Sequence, residues 1–282
     1  MLLIAFLFFR NSHSLDNKIS ANYKFAVIGD YGIDKEPELK VATLVKNWNP
    51  DFIITVGDNN YNLGEKESID KNIGKYYHEY IGNYMGSYGT GAKVNIFFPS
   101  LGNHDWYTKG AKPYLDYFTL PGNERYYDFV KGSVHFFALD SDEHEPDGTD
   151  INSKQGKWFK SKIANSNSKF KIVYFHHPPH SSGVDDAERK LMWDFKRYDI
   201  DVALCGHDHL YERLNIKGVP YIIVGTGGDK LDEFREPVSG SIIRYNNNHG
   251  ALLVSVSNSS LKFEFYSIEN HNKSIDSFII KK

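Results

Sequence analysis

Five stretches of this chain are apolar runs that stop abruptly at polar residues. "YKFAVIGD" ends at Gly29-Asp30, and "DFIITVGD" ends at Gly57-Asp58. "NIFFPSLGNHD" ends at Gly102-Asn103-His104-Asp105, "KFKIVYFHHPP" runs into His176-His177, and "DVALCGHDH" ends on His207 and His209. A short continuous apolar run bounded by turn residues reads as a strand covered on both faces. Between the first two, "PELKVATLVKNW" has a helical period, with Leu39, Ala42, Leu44 and Val45 on one face. Lys154–Ala164 and Asp186–Tyr198 read as further helices, and "YYDFVKGSVHFFALD" reads as a hairpin turning at Lys131-Gly132. The β-rich tail Ile242–Ile280 is expected to build a second sheet. Alternation of buried strands and helices predicts an α/β sandwich. The insert from Asn62 to Ala92 has no clear period, and its aromatic stripe Tyr76–Tyr80 reads as internal packing.

Composition narrows the class. The chain has 282 residues, 40% hydrophobic and 24% charged, which suits an ordered globular protein. Its formal charge is -3 and its basic residues are dispersed, so no nucleic-acid-binding surface is evident. The single cysteine, Cys205, excludes an internal disulfide, a zinc finger and an iron–sulfur cluster, and its apolar strand marks it as inert. The N-terminal run Leu2–Phe9 is too short to span a bilayer, so no transmembrane segment is expected there. Residues 1–20 read as a signal segment with a small-x-small pattern at Ser12 and Ser14, against an amphipathic segment or a misplaced start. The expected location is therefore secreted or a secretory lumen, with one catalytic domain over 21–282.

The strand ends carry the chemistry. In order they offer Asp30, then Asp58 with Tyr61, then Asn103 and His104, then His176, then His207 and His209. Ligands of open α/β sheets bind outside the carboxyl ends of the strands, so loops distant in sequence can converge on one spot. A lone Gly-Asp is an ordinary turn. Five such ends in this order call for a common purpose.

This order of motifs resembles the calcineurin-like metallophosphoesterase superfamily. The tyrosine three residues after Asp58 makes it similar to the purple acid phosphatases, including the small tartrate-resistant type. The resemblance runs from about Tyr23 to Arg213 and is weak in the insert and the C-terminal third. It implies a four-layer αββα sandwich of two mixed β-sheets. It also implies an acid phosphatase that hydrolyses phosphate monoesters, small or protein-borne, by attack of metal-bound hydroxide. The nearer alternative is a phosphodiesterase or nucleotide hydrolase of the same superfamily. A binding scaffold that has lost catalysis is a more distant one. By the resemblance, Asp30, Asp58, Tyr61 and His209 bind one metal, Asp58 bridges, and Asn103, His176 and His207 complete the second site. Two carboxylates and a phenolate suit Fe(III), whereas imidazoles and an amide suit Fe(II), Zn(II) or Mn(II). His104, next to a ligand, is the expected catalytic acid and a substrate contact.

The chain departs from the family in two places. A second substrate histidine often follows the strand-end histidine, and here that position falls near Asp185. His180 is the substitute candidate for substrate binding, with a solvated loop histidine as the equal alternative. His177 stands where the small members commonly have tyrosine, and is read as lining the pocket without a catalytic role. "GTGG" at Gly225–Gly228 is read either as a close backbone approach or as a tight turn, Glu212–Arg213 as an ion pair, and Asp105 and Asp208 as ligand-orienting or loop residues. His13, His78, His135, His144, His249 and His271 are read as structural or surface residues.

Overall fold

The computed structural model describes residues 22–184 and 191–282. Residues 1–21, with His13 and the expected signal segment, and Asp185 lie outside the described residues. The strands are β1 (Tyr23–Ile28), β2 (Phe52–Thr55), β3 (Phe97–Pro99), β4 (Tyr127–Lys131), β5 (Val134–Ala138), β6 (Phe170–Tyr174), β7 (Val202–Cys205), β8 (Tyr211–Ile216), β9 (Val219–Val224), β10 (Ser241–Tyr245), β11 (Gly250–Val256), β12 (Ser260–Ser267) and β13 (Asp276–Lys281). They form two mixed sheets, ordered β13-β12-β11-β1-β2-β3 and β10-β8-β9-β7-β6-β5-β4. β1, β2 and β3 run parallel in the first. β5, β6, β7 and β9 run parallel in the second.

Alternation along the strands builds the layers. In the second sheet, Phe136, Ile172, Tyr174, Leu204 and Ile222 join Phe25, Phe52 and Ile54 of the first sheet in one buried core. Phe25 and Phe136 meet edge to face at 5.2 Å, which fixes the sheets against each other. The intervening residues Phe137, Val173, Ala203 and Ile223 instead bury Phe159 and Ile163 of helix Lys154–Ala164 on the outer face. Helix Glu36–Asn47 packs against β11.

The structure corrects the sequence reading in four places. The C-terminal strands do not form a sheet of their own: β11–β13 extend the sheet of β1, and β10 edges the other. In helix Glu36–Asn47, Leu39 is 52% exposed, and Glu38 and Val41 are buried instead. Glu38 accepts the backbone N–H groups of Ile33 (3.0 Å) and Asp34 (2.7 Å), which turns that face inward. Of the expected helix Asp186–Tyr198, residues 185–190 lie outside the described residues, and the rest holds only a 3-10 turn at Phe195–Tyr198. Leu191, Trp193 and Phe195 are all buried, a spacing of two that an α-helix cannot put on one face. Glu212 and Arg213 do not pair, because neighbours on β8 point to opposite faces. Glu212 accepts from Ser182, and Arg213 pairs with Asp276 at 2.6 Å.

The insert is held by two carboxylates. Asp34 binds Lys71, Lys75 and Tyr76, while Asp70 accepts from Tyr84, Tyr117 and the Ser87 N–H. Tyr76, Tyr77 and Tyr80 are buried, as the aromatic stripe predicts. Among the described residues, no helix is long and apolar enough to cross a membrane.

Candidate metal centre

The parallel strands of both sheets deliver their carboxyl ends to one place. β1, β2 and β3 bring Asp30, Asp58 with Tyr61, and Asn103 with His104. β6 and β7 bring His176, His207 and His209. The backbone turns sharply there: Asp30, Asp58 and His207 have φ of 57°, 51° and 71°. Left-handed φ is uncommon for non-glycine residues, and Asp and His are among those that tolerate it. Each turn folds a side chain back over its strand end. Gly57 precedes Asp58 with φ 95°, and a Cβ on it would stand 2.5 Å from His176 Nδ1. Only glycine lets these two loops approach so closely.

The side chains then fall into two adjoining groups. Asp30, Asp58 and His209 each place one donor atom within 4.8 Å of the others. The Tyr61 hydroxyl sits between them, 3.0 Å from Asp58 Oδ2, 3.0 Å from His209 Nε2 and 3.3 Å from Asp30 Oδ1. One hydroxyl proton cannot serve three such partners; a cation shared among them can. In the second group, His176 Nε2 lies 3.0 Å from Asn103 Oδ1 and 3.3 Å from Asp58 Oδ2. The His207 ring centre is 5.1 Å from that of His176. Asp58 thus borders both groups.

Ring orientation fits cation binding. Carbonyl oxygens only accept, so a histidine bonded to one through Nδ1 carries its proton there and presents Nε2 as the ligand. His176 Nδ1 meets Val56 O at 2.8 Å, and His209 Nδ1 meets Lys230 O at 2.8 Å. The donor set, buried oxygens and imidazoles on a fixed frame, matches a pair of cations.

His104 stands at the rim. Its Nε2 is 3.9 Å from Asp58 Oδ2, its Nδ1 meets Asn62 O, and its backbone N–H donates to Asp58 Oδ1 at 2.9 Å. Its ring is clamped between Tyr61 and Tyr107, with centres 4.3 and 4.8 Å away. His180 is not gathered into the cluster. Its ring lies edge-on to Tyr221 at 5.5 Å, in a cavity of about 120 Å³ lined also by Trp193, Lys196 and Lys217. The short run after His176 turns it toward the far end of β8 and β9.

Residues 23–211 match the calcineurin-like phosphoesterase family, about two thirds of the chain. The chain belongs to that family. Purple acid phosphatases are among its relatives. It is 26% identical over 264 residues to purple acid phosphatase 23 of Arabidopsis thaliana, covering 77% of this chain and 56% of that protein. It is 24% identical over 249 residues to tartrate-resistant acid phosphatase type 5 of Mus musculus, covering 72% of each. The purple acid phosphatase PPD1 of yellow lupin (Lupinus luteus) superposes with a TM-score of 0.76 at 18% identity, over 92% of this chain and 54% of that one. The chain thus spans about half the length of these two plant enzymes. The family implies a dinuclear metal centre, and this chain presents two groups of candidate ligand side chains for it.

Supports that the sequence reading missed lie around the candidate ligands. Asn59 is fully buried; it accepts from Tyr31 and Thr55 and donates to Ser100 O and Asp105. Asp105 also accepts the Gly102 N–H at 2.9 Å, so it ties the second and third motif loops together rather than orienting a histidine. Burial, then the Asp58 charge, pushes its carboxyl up to about 7. His249 bonds the Asp229 carbonyl in the loop that also anchors His209. The "GTGG" run is a close approach: a Cβ on Gly225 would meet Asp208 O at 2.0 Å. Cys205 is buried, and burial pushes its thiol well up, in keeping with an inert role.

Electrostatics link cation uptake to protons. Burial opposes ionisation of Asp58, yet His176 holds its carboxyl well below the usual range. Burial raises Asp30. Burial works against charge on His176 and His209 too. The Asp58 carboxylate outweighs it and lifts His176 to about 9, and Asp30 lifts His209 to about 10. Burial, then Asp58, pushes the Tyr61 phenol well up. In chelator-treated protein at pH 7.5 these groups therefore hold protons that a cation must displace. Affinity is expected to climb with pH through the titration of His176 and His209, and to keep climbing above it while the Tyr61 phenol still holds its proton. Calorimetry in buffers of different ionisation enthalpy should find roughly three protons released as the site fills at pH 7.5, from His176, His209 and the Tyr61 phenol. Uptake without proton release contradicts this assignment.

Proposed function

We propose that this chain is a dinuclear acid phosphatase acting on phosphate monoesters, small or protein-borne, as one catalytic unit over 21–282. The observation that carries the reading is the meeting of Asp30, Asp58, Tyr61 and His209 with Asn103, His176 and His207 across the shared Asp58. The anionic oxygen-rich group suits Fe(III), and the imidazole and amide group suits Fe(II), Zn(II) or Mn(II). When bound, the two cations neutralise phosphoryl oxygens and make water acidic enough to supply a nucleophile.

The chain's own residues supply the rest. Asp58 keeps the two groups in register through Tyr61 on one side and His176 on the other. His104, with its Nδ1 proton committed to Asn62 O, holds its transferable proton at Nε2. As the bond from phosphorus to the leaving oxygen breaks, that proton passes to the leaving oxygen, and water completes the product phosphate. Protein reconstituted with iron and zinc should hydrolyse p-nitrophenyl phosphate about tenfold or more faster than its bis ester. A preference for the bis ester favours the phosphodiesterase reading. Two bound cations with no turnover of either favour a scaffold. Fe(III) at the Tyr61 site is expected to give a purple charge-transfer band that Tyr61→Phe bleaches; a colourless, active, iron-loaded protein removes Tyr61 from the ligand set. Secretion belongs to the same proposal. It rests on the signal-like apolar run in residues 1–20, and N-terminal sequencing of exported protein tests it.

A further inference from the structure

His177 follows a proposed ligand on β6, and the sequence gives it no chemical role. The structure puts it against the second group of ligands. It is 2% exposed, and one of its ring nitrogens lies within 4.8 Å of those of His176 and His207. The ring centres are 4.9 Å and 4.5 Å away, respectively. Its Nδ1 is bonded to Ser141 Oγ at 2.8 Å, and the same hydroxyl accepts the His177 backbone N–H at 2.9 Å. Ser141 lies in the loop just after β5, at the carboxyl end that borders β6.

A hydroxyl can donate or accept; where Ser141 Oγ accepts the Nδ1 proton, His177 is held as the other two anchored histidines are. His176 rests its Nδ1 on Val56 O and His209 on Lys230 O, each leaving Nε2 as the ligand nitrogen. An oxygen fixing the far nitrogen is the usual partner of a metal-bound imidazole. Resting on the dinuclear reading above, we propose that His177 is a further ligand of the second cation. Ser141 is then its positioning residue. With His177, the second site holds three imidazoles, the Asn103 amide and the shared Asp58 carboxylate. Imidazole favours zinc, whereas carboxylate, carbonyl and water favour manganese and magnesium. The added nitrogen therefore tunes this site to Zn(II) over Mn(II).

The test titrates Zn(II) and Mn(II) separately into chelator-treated full-length wild type, His177→Ala and Ser141→Ala, with metal content read by elemental analysis and affinity by calorimetry. Wild type should take up two Zn(II). His177→Ala should keep the first and bind the second about 10–100-fold more weakly, with a smaller loss for Mn(II). Ser141→Ala should weaken the second Zn(II) by about tenfold. Second-site Zn(II) affinity within about twofold of wild type in folded His177→Ala overturns the assignment. If inorganic phosphate then binds more weakly to that variant, His177 is a phosphate contact instead. If His177→Ala does not fold, unchanged Zn(II) affinity in folded Ser141→Ala overturns it equally. Wild type that binds fewer than two cations sinks the dinuclear reading itself, a result distinct from either variant's.

Discussion

Alanine at Asp58 is expected to lower phosphomonoester kcat/KM by about 10³-fold or more, the loss of several kcal/mol of charge stabilisation. Asp58 reaches both groups: Oδ2 stands 3.0 Å from the Tyr61 hydroxyl and 3.3 Å from His176 Nε2. Its Oδ1 takes the His104 N–H at 2.9 Å, so it also sets the start of the helix that carries His104. Each of the other proposed ligands serves one group. Removing Asp58 should therefore lower the content of both cations, whereas His209→Ala should lower only the first. Asp58→Asn keeps the shape and the hydrogen bond from His104 while removing the charge, which separates loss of cations from loss of fold. Metal analysis beside steady-state kinetics checks this. Full turnover with two cations in Asp58→Ala would remove the shared carboxylate from the account.

Alanine at His104 is expected to act differently. His104 belongs to neither group, and its backbone N–H to Asp58 survives the substitution, so both cations should stay. What is lost is the proton held at Nε2. Turnover of alkyl phosphates, whose leaving oxygen needs that proton, should fall roughly 10²–10⁴-fold. p-Nitrophenyl phosphate, which releases a weakly basic phenolate, should slow far less. An equal loss on both substrates points to a positional role in the Tyr61–Tyr107 clamp. Unchanged turnover of alkyl phosphates excludes His104 from the chemistry.

The strand ends were legible because each combines two local signals, an apolar run and a turn residue (glycine in four, the Pro178-Pro179 pair after His176), with a polar residue that needs a reason to be there. Asp30, Asp58, Asn103, His176, His207 and His209 all satisfy that pattern. What lay beyond reach depends on pairing between distant segments. The tail "LLVSVS" announces a strand, but only its register with β1, Val27 opposite Leu252, says which sheet it joins. Leu39 misled because periodicity cannot foresee that Glu38 will be drawn inward by two backbone N–H groups. Asn59 is the hub of the second motif loop, yet in sequence it is one more polar residue in a turn. The anchors of the histidines are mostly carbonyls, Val56 O and Lys230 O, and carbonyls leave no trace in residue identity. In sequence, His180 was the candidate substrate contact and His177 only a pocket-lining residue. The structure turns one toward Tyr221 and the other toward His207.

The most direct measurement is the cation content per chain of natively purified protein, wild type beside Asp58→Ala. Two cations per wild-type chain, and fewer than one in the variant, is the result expected if the strand ends of both sheets clasp a pair. An active wild type with no cation, or a variant that keeps both, contradicts it.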